Sequence, residues 1–199
     1  MRRSTFLRVL AAAAFAAAPL AAPLGAQSAA APSTAAPSTL VVLVRHAEKG
    51  TEPAADPPLT AAGEARAQAL ADVLADAHVD AVISTPYRRT QGTAAPIATK
   101  RGLTPELVPI ASGIPAHAAA VAASIRERHR GQTVLVVEHS NTVAAIVRAL
   151  GGPQLADLCD QQYASLFVLE VPAEGAAKLV RSTYGAADPA GAGSCGTMK

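Results

Sequence analysis

The sequence predicts an α/β fold, a three-layer α/β/α sandwich in which helices cover both faces of a mainly parallel sheet. Short runs rich in Val, Leu and Ile alternate along residues 39–185 with segments whose apolar residues recur every three or four positions. Such runs are typical of strands buried on both faces, and the alternation is typical of βαβ units. Polar and ionisable residues follow directly after several of these runs. Because ligands bind beyond the carboxyl ends of the strands in such sheets, those residues predict a functional site.

The predicted strands and helices follow one another in regular order. The first strand, residues 40–44, is entirely apolar, and Thr60 is a suitable N-cap for the helix that follows it as far as Ala77. Pro115 suits the first turn of a later helix, and Gly151 follows the end of another. The remaining predicted elements are a strand at 80–84, a helix at 89–100, a weak strand at 107–110, a helix at 115–130, a strand at 133–137, a helix at 141–150 and two strands at 166–171 and 178–183.

The first 26 residues, 1–26, have the layout of a secretory signal peptide. Three Arg lie within the first eight residues, residues 9–20 are apolar and rich in Ala, and Leu24-Gly25-Ala26 offers a small-residue cleavage site. The apolar part is short for a bilayer span, although an uncleaved N-terminal anchor is the alternative. We therefore predict a periplasmic or secreted protein without membrane attachment after cleavage.

The rest of the chain is predicted to form one domain between two segments that lack a core. Residues 27–38 are small, polar and contain Pro, which is typical of a flexible linker, and the domain covers 39–185. Residues 186–199 are rich in Gly and Ala and predict a loose C-terminal tail. The two cysteines, Cys159 and Cys195, either form a disulfide that ties the tail to the domain or remain free thiols.

Removal of the predicted signal peptide changes the net charge. Three of the 17 Lys and Arg residues lie in it, which leaves 14 against 15 Asp and Glu residues, a net charge of −1 rather than +2. No stripe of basic residues with interleaved aromatics is present, so nucleic acid is not a predicted partner. The oligomeric state is left open.

Two of the apolar runs end in the same way, with a charged residue followed by His. Arg45-His46 and Glu138-His139 each follow a predicted strand, and Arg89 lies shortly after a third. If these strand ends converge, two imidazoles and two guanidinium groups face one space, where an anion relieves their repulsion. Phosphate fits this arrangement, because guanidinium groups match its oxygens bidentately and imidazole can act as nucleophile or donor.

Four stretches of the sequence carry motifs around these strand ends. They are Leu43-Val-Arg-His-Ala-Glu48, Leu59-Thr-Ala-Ala-Gly63-Glu-Ala-Arg-Ala67, Ser84-Thr-Pro-Tyr-Arg-Arg89-Thr-Gln-Gly-Thr93-Ala94 and Val136-Val-Glu-His139-Ser-Asn-Thr142. In this order, over about residues 40–170, they resemble the histidine phosphatase superfamily, also called phosphoglycerate-mutase-like. The Arg-His-Ala-Glu-Lys segment resembles the compact bacterial branch.

The resemblance implies both a site and a mechanism. His46 would attack the phosphorus in line and form a phosphohistidine. The residues implied to bind the phosphoryl oxygens or the substrate are Arg45, Arg89, His139, Ser140 and Asn141. No metal and no cofactor are implied, because cationic side chains supply the charge that Mg²⁺ supplies in other phosphoryl transfers. The expected partner is a small phosphorylated substrate or a phosphate anion.

Two features depart from the family pattern. Glu138 stands where Gly is usual before the second His, and its carboxylate either points away or pairs with Arg45 or Arg89 and weakens anion binding. The acid that protonates the leaving group is also missing from its usual positions, since Ser140 rather than Asp follows the second His. Glu106 is the candidate for that catalytic role.

These observations predict an exported, metal-independent phosphomonoesterase of the histidine type. The alternatives are a non-catalytic phosphate- or polyanion-binding member of the same fold and a phosphohistidine-protein phosphatase. A further alternative is a zinc site built from His46, Glu48, Glu138 and His139, which the neighbouring cation Arg45 disfavours. The other histidines, His78, His117 and His129, are predicted to lie on exposed helical faces.

Overall fold

The computed structural model describes residues 37–193 and 195, in which strands and helices alternate as the sequence predicts. The elements are β1 Thr39–Arg45, α1 Ala61–Val73, β2 Ala81–Ser84, α2 Arg88–Arg101, β3 Glu106–Leu107, α3 Ile114–Arg128, β4 Thr133–Glu138, α4 Val143–Ala149, β5 Ser165–Val171 and β6 Lys178–Thr183. The predicted signal peptide, residues 1–26, and most of the predicted linker lie outside the described residues. Within them, no helix is long and apolar enough to cross a membrane.

The strands form one sheet in the order β3-β2-β4-β1-β5-β6. Strands β3, β2, β4 and β1 pair in parallel, whereas β5 and β6 are added antiparallel at one side. The predicted α/β class with a mainly parallel sheet is therefore confirmed. Because β4 and β1 are central neighbours and β2 lies next to β4, the carboxyl ends of all three meet at one edge.

The two central strands bury both of their faces. Along β1, Val41 and Leu43 belong to an apolar cluster with residues of α3 and α4, while Val42 and Val44 belong to a cluster with residues of α1 and α2. Residues of β4 alternate in the same way between the two clusters. Since successive side chains of a strand point to opposite faces, an uninterrupted apolar run is what a strand between two helical layers requires.

Local signals explain most of the element boundaries. The Thr60 hydroxyl accepts a hydrogen bond from the Gly63 amide and caps α1 as predicted. Helix α2 ends at Arg101, and its C-cap residue Gly102 has a φ of 66°, a left-handed value that favours glycine. The predicted strand at 107–110 is shorter and earlier than expected, because β3 is an edge strand and Pro109 has no amide with which to continue the ladder.

Candidate functional site

A pocket of about 370 Å³, the cationic pocket, lies at the carboxyl edge of β1, β4 and β2. Its lining residues are Arg45, His46, Lys49, Tyr87, Arg89, Ile110, His139, Ser140, Asn141 and Asp160. All the predicted site residues except Glu106 are therefore brought together. They come from the ends of β1 and β4, the turns that follow these strands and the first turn of α2 after β2, which is the convergence that the sequence pattern predicts.

His46 is buried directly after β1, with its ring fixed by the backbone. Its Nδ1 lies 2.8 Å from the carbonyl oxygen of Ala47. A carbonyl only accepts, so Nδ1 carries the proton and Nε2 keeps a free lone pair. Burial lowers the pKa of His46 to about 3, and the nearby charges of Arg45 and Arg89 act in the same direction. The imidazole is therefore neutral at physiological pH, the form in which it is a nucleophile.

His139 follows β4 and faces His46, with 5.3 Å between the ring centroids. Its Nε2 lies 3.0 Å from the Thr85 hydroxyl. Burial lowers the pKa of His139 to about 3, and the charge of Arg89 contributes next. The backbone amide of His139 donates to the Thr142 hydroxyl at 2.9 Å, which fixes the turn between β4 and α4.

Arg45 is held by a loop that lies far from it in the sequence. Its Nη1 donates to the carbonyl oxygens of Cys159, Asp160 and Gln162, at 2.8, 2.9 and 3.2 Å. The guanidinium carbon lies 4.2 Å from the centroid of the Tyr163 ring, within cation–π range. Three carbonyls and one aromatic face thus fix the orientation of this cation.

The same loop carries one half of a disulfide. Cys159 is bonded to Cys195, with 5.1 Å between their Cα atoms, so the first of the two alternatives for the cysteines holds in this structure. The carboxylate of Asp188 also accepts from the amides of Tyr163 and Ala164, at 2.8 and 2.9 Å. These contacts attach the segment after β6 to the loop that holds Arg45.

Arg89 lies in the first turn of α2 and is stacked on a second tyrosine. Its guanidinium carbon is 4.3 Å from the centroid of Tyr87, and its Nη1 is 3.8 Å from the carboxylate of Asp56. Among the described residues, Nε of Arg45 and Nε of Arg89 are buried without a hydrogen-bond partner. Buried unpaired donors cost free energy, and an oxyanion is the acceptor that best offsets that cost.

Glu48 does not line the cationic pocket, and its carboxylate is paired with an arginine. Its carboxylate accepts a forked pair of hydrogen bonds from Arg66, with 2.8 Å between Nη2 and Oε1. Although burial favours the neutral acid, these hydrogen bonds lower the pKa of Glu48. Arg66 also donates to the carbonyl oxygens of Tyr184 and Ala186, so the pair joins the first loop to the end of β6.

Glu138 turns away from the cationic pocket and pairs with a histidine that the sequence analysis placed wrongly. His117 is not exposed but buried, with its Nε2 3.0 Å from Oε1 of Glu138 and its Nδ1 3.3 Å from the carbonyl oxygen of Pro109. Burial alone would lower the pKa of His117, but the hydrogen bond and charge of Glu138 raise it. Both ring nitrogens lie beside oxygen atoms that can accept, so the geometry suits the protonated form of His117. The other carboxylate oxygen accepts from the Thr142 hydroxyl at 2.8 Å.

The structure does not bring Glu106 to the cationic pocket. Its carboxylate accepts from the hydroxyl of Ser124 at 3.0 Å, from Arg128 and from Nε2 of His129 at 3.3 Å. These partners lie at the end of α3, because β3 pairs at the edge of the sheet and directs Glu106 towards that helix. The carboxylate residue that does line the pocket is Asp160, which follows Cys159 without any motif to indicate it.

The four residues considered for zinc do not converge. The carboxylate of Glu48 is occupied by Arg66, and that of Glu138 by His117, which leaves only the two imidazoles near each other. Across residues 37–193 and 195, no group of three or more His, Cys, Asp or Glu side chains has an arrangement that could hold a metal ion.

The fold and site together define an α/β protein with a cationic, histidine-containing pocket at the carboxyl edge of its parallel strands. The family model described as the histidine phosphatase superfamily (branch 1) matches residues 41–110. The match includes Arg45, His46 and Arg89 and ends before His139. The resemblance to the histidine phosphatase superfamily that the sequence indicates is therefore confirmed. Comparison with curated protein sequences finds no match.

Several solved structures are similar to this chain. The protein histidine phosphatase SixA in complex with tungstate has a TM-score of 0.60 and 18% identity, over 72% of this chain and 96% of that one. A mycobacterial glucosyl-3-phosphoglycerate phosphatase has a TM-score of 0.56 and 17% identity, over 75% and 100%. YhfR from Bacillus stearothermophilus has a TM-score of 0.54 and 20% identity, over 75% and 96%. At these identities the similarity establishes the fold.

Proposed function

We propose that this protein is a phosphatase that hydrolyses phosphate monoesters through a phosphohistidine on His46. The observation that carries the proposal is the state of His46, a neutral imidazole with a free Nε2 in a pocket lined by the guanidinium groups of Arg45 and Arg89. A neutral nucleophile beside fixed positive charge is suited to a reaction in which negative charge develops on phosphoryl oxygens.

The reaction has two displacements on phosphorus. In the first, the Nε2 lone pair of His46 forms the N–P bond while the ester P–O bond breaks, and the leaving oxygen takes the electron pair and a proton. In the second, water attacks the phosphohistidine and returns a proton to the group that protonated the leaving oxygen, the N–P bond breaks, and His46 regains its lone pair as phosphate leaves. Arg45 and Arg89 bind the phosphoryl oxygens throughout, and His139, Ser140 and Asn141 complete the pocket.

Asp160 is the proposed proton donor to the leaving oxygen, in place of Glu106. It is the carboxylate residue that lines the cationic pocket, and its own backbone holds Arg45. Asp160→Asn keeps that backbone carbonyl and removes only the acid. The hydrolysis of alkyl phosphates should therefore become about 10²-fold slower, within the usual range for general acid catalysis, and the hydrolysis of p-nitrophenyl phosphate should slow much less. An equal loss of hydrolysis rate for substrates with good and with poor leaving groups would exclude Asp160 as the proton donor.

Metal independence and export are further parts of the proposal. The two guanidinium groups supply the positive charge that a metal supplies elsewhere, which supports a reaction that continues in EDTA. The basic, apolar and small-residue pattern of residues 1–26 supports export to the periplasm or the medium. The mature N-terminus, sequenced from protein recovered outside the cytoplasm, tests that assignment, and an intact Met1 would contradict it.

The central experiment uses the mature chain, residues 27–199, with p-nitrophenyl phosphate in EDTA. Hydrolysis is expected, His46→Ala should abolish it, and the exposed His78→Ala should serve as the matched control that leaves it unchanged. An acid-labile phosphoryl group should be trapped on wild type and not on His46→Ala. Phosphate or vanadate binding without turnover would instead support the non-catalytic binding protein.

A phosphohistidine-protein phosphatase is the second candidate, and the observation in its favour is the structural similarity to SixA, a protein histidine phosphatase. The same preparation distinguishes the two candidates with a phosphorylated histidine-containing protein domain as substrate. A kcat/KM for the domain well above that for aryl phosphates would replace the first candidate with the second.

A further inference from the structure

A second cavity, the apolar cavity, lies between α3 and α4. Its volume is about 620 Å³, against about 370 Å³ for the cationic pocket, and it falls within the range of small-molecule sites. Five alanines of the two helices, together with Ile114, Pro115 and Leu155, form most of its wall. The small side chains keep the surface between the helices concave, and the segment at 154–157 closes one side.

The apolar cavity adjoins the cationic pocket, and one residue belongs to both linings. Asn141, at the start of the turn into α4, lines both of them. The segment after α4 also contributes to both linings, because Asp157 lines the apolar cavity and Asp160, three residues further on, lines the cationic pocket. Between these two, the amide of Leu158 donates to the carbonyl oxygen of Ser140 at 3.0 Å, which holds the segment against the turn after β4.

The two compartments differ sharply in charge. The cationic pocket carries Arg45, Arg89 and Lys49 against one carboxylate residue. The charged residues that line the apolar cavity are one cation, Arg148, and one anion, Asp157, so its net charge is zero. A ligand that fills both therefore combines an anionic head with an uncharged, mainly apolar body.

We propose that the apolar cavity binds the leaving group of the substrate, and that the substrate is a phosphate monoester of an aryl or alkyl alcohol. This inference rests on the proposed function, because it places the phosphoryl group beside His46. A leaving group rich in hydroxyls, such as a sugar, would lose its hydrogen bonds to water against alanine methyl groups without replacing them. The cavity therefore selects for apolar bulk and against polyhydroxylated leaving groups.

A homologous series of substrates measures this selection. Phenyl, 4-methylphenyl, 4-ethylphenyl and 4-butylphenyl phosphates differ in apolar bulk but release phenols of nearly equal acidity. We expect kcat/KM to rise roughly three- to fourfold for each methylene that is buried, and glucose 6-phosphate to be hydrolysed more slowly than hexyl phosphate, which also releases a primary alcohol. A kcat/KM that is constant along the series would overturn the inference.

Two adjacent alanines of α3 provide matched variants. Ala119 and Ala120 are both exposed, but Ala119 lines the apolar cavity and Ala120 does not. Ala119→Phe should remove the increase of kcat/KM along the series, so that the ratio of 4-butylphenyl to phenyl phosphate falls towards one. Ala120→Phe should keep the wild-type ratio. Equal ratios in the two variants would contradict the assignment of the cavity.

Binding of non-hydrolysable phosphonates separates this inference from the proposed function. Calorimetry should show 4-butylphenylphosphonate binding more tightly than phenylphosphonate to wild type and equally to Ala119→Phe. If that difference is found without hydrolysis of any aryl phosphate, the cavity assignment stands and the enzymatic proposal fails. If aryl phosphates are hydrolysed without any such difference, the enzymatic proposal stands and the cavity assignment fails.

Discussion

Strands β1 and β4 end in the same sequence pattern, an ionisable residue followed by His, yet the two ionisable residues have different uses. Arg45 and Glu138 are register partners on adjacent parallel strands, so their side chains leave the sheet on the same face. Arg45 meets the carbonyl oxygens of the loop at 159–162 and lines the cationic pocket. Glu138 meets His117 of α3 and is fully buried.

The difference shows that the surroundings of a strand end, and not the strand, determine whether its charge faces a ligand. A glutamate beside two guanidinium groups would neutralise an anion site, but the imidazolium of His117 takes up that charge inside the α3 layer. His117 lies on α3, 21 residues before Glu138. Its pairing with Glu138 keeps the carboxylate away from the two guanidinium groups, although the family pattern has Gly at this position. Glu138 then helps to place His139 through Thr142, which contacts both.

Breaking the buried pair should have the largest effect on the protein. Glu138→Ala removes the carboxylate that accepts from buried His117 and Thr142, and breaking a buried pair of this kind costs about 3–5 kcal/mol. The double variant His117→Leu/Glu138→Leu should recover most of that loss, because apolar pairs often replace buried ion pairs at little cost. Urea unfolding of the three proteins measures both effects. A double variant as unstable as the single one would show that the charges themselves stabilise the fold.

Removing the side chain of Arg45 should reduce the activity of the protein rather than prevent its folding. Arg45→Ala takes away a donor aimed at the developing phosphoryl charge, so we expect kcat/KM for p-nitrophenyl phosphate to fall by about 10²–10³-fold. Arg89→Ala is the matched variant and should show a loss of the same order. Thermal unfolding should show folded protein in both. A fall of less than tenfold for Arg45→Ala would mean that its role is limited to its contacts with the loop.

The disulfide should influence Arg45 but not Glu138. Cys159→Ser/Cys195→Ser frees the loop that holds Arg45, and a shift of about 1 Å in a positioning group costs up to about 10²-fold. Because the carbonyl contacts remain, we expect a loss of roughly tenfold in kcat/KM, with a loss of about 2–4 kcal/mol in the free energy of unfolding. Mild reduction of the disulfide in the wild-type protein is the control and should cause the same loss of activity. Reduced wild type with unchanged kcat/KM would show that the loop keeps its position without the bond.

The smallest predicted effect is a pH dependence of stability from the His117–Glu138 pair. The pKa of His117 is raised in the folded protein, so the stabilisation is complete below the unfolded pKa of about 6.5 and is lost as the pH rises through the raised folded-state value. The difference in unfolding free energy between wild type and His117→Gln/Glu138→Gln should therefore decrease between pH 6 and pH 9. Urea unfolding at a series of pH values measures that difference, and a constant value would mean that His117 is neutral.

The position of a residue could be predicted from the sequence where its contacts are with residues nearby in the chain. It could not be predicted where those contacts are with a distant segment. The cap of α1 was predictable because Thr60 and Gly63 are three residues apart and form their hydrogen bond within one turn. The convergence of Arg45, His46, Arg89 and His139 was predictable because parallel strands bring their carboxyl ends to one edge. Glu106 was misplaced because its partners on α3 are about 20 residues away and no periodicity records them.

His117 was misplaced for a related reason. It is one polar residue in an Ala-rich helix, and periodicity alone does not distinguish an exposed histidine from one that faces a buried carboxylate. The apolar cavity was likewise not predicted, because its wall combines two helices with the segment at 154–157. Its concave shape depends on how closely α3 and α4 approach each other, which the sequence of neither helix specifies.

The sequence by itself determined the α/β class, the order of the elements and the strand ends that carry Arg45, His46, Arg89 and His139. These features follow from apolar periodicity and from turn and cap residues, which act over a few positions of the chain. The tertiary structure alone decided that Glu138 faces His117, that Asp160 rather than Glu106 lines the cationic pocket, and that the loop at 159–162 holds Arg45. The partner of a buried charge is set by the distant segment packed against it, and that packing exists only in the folded chain.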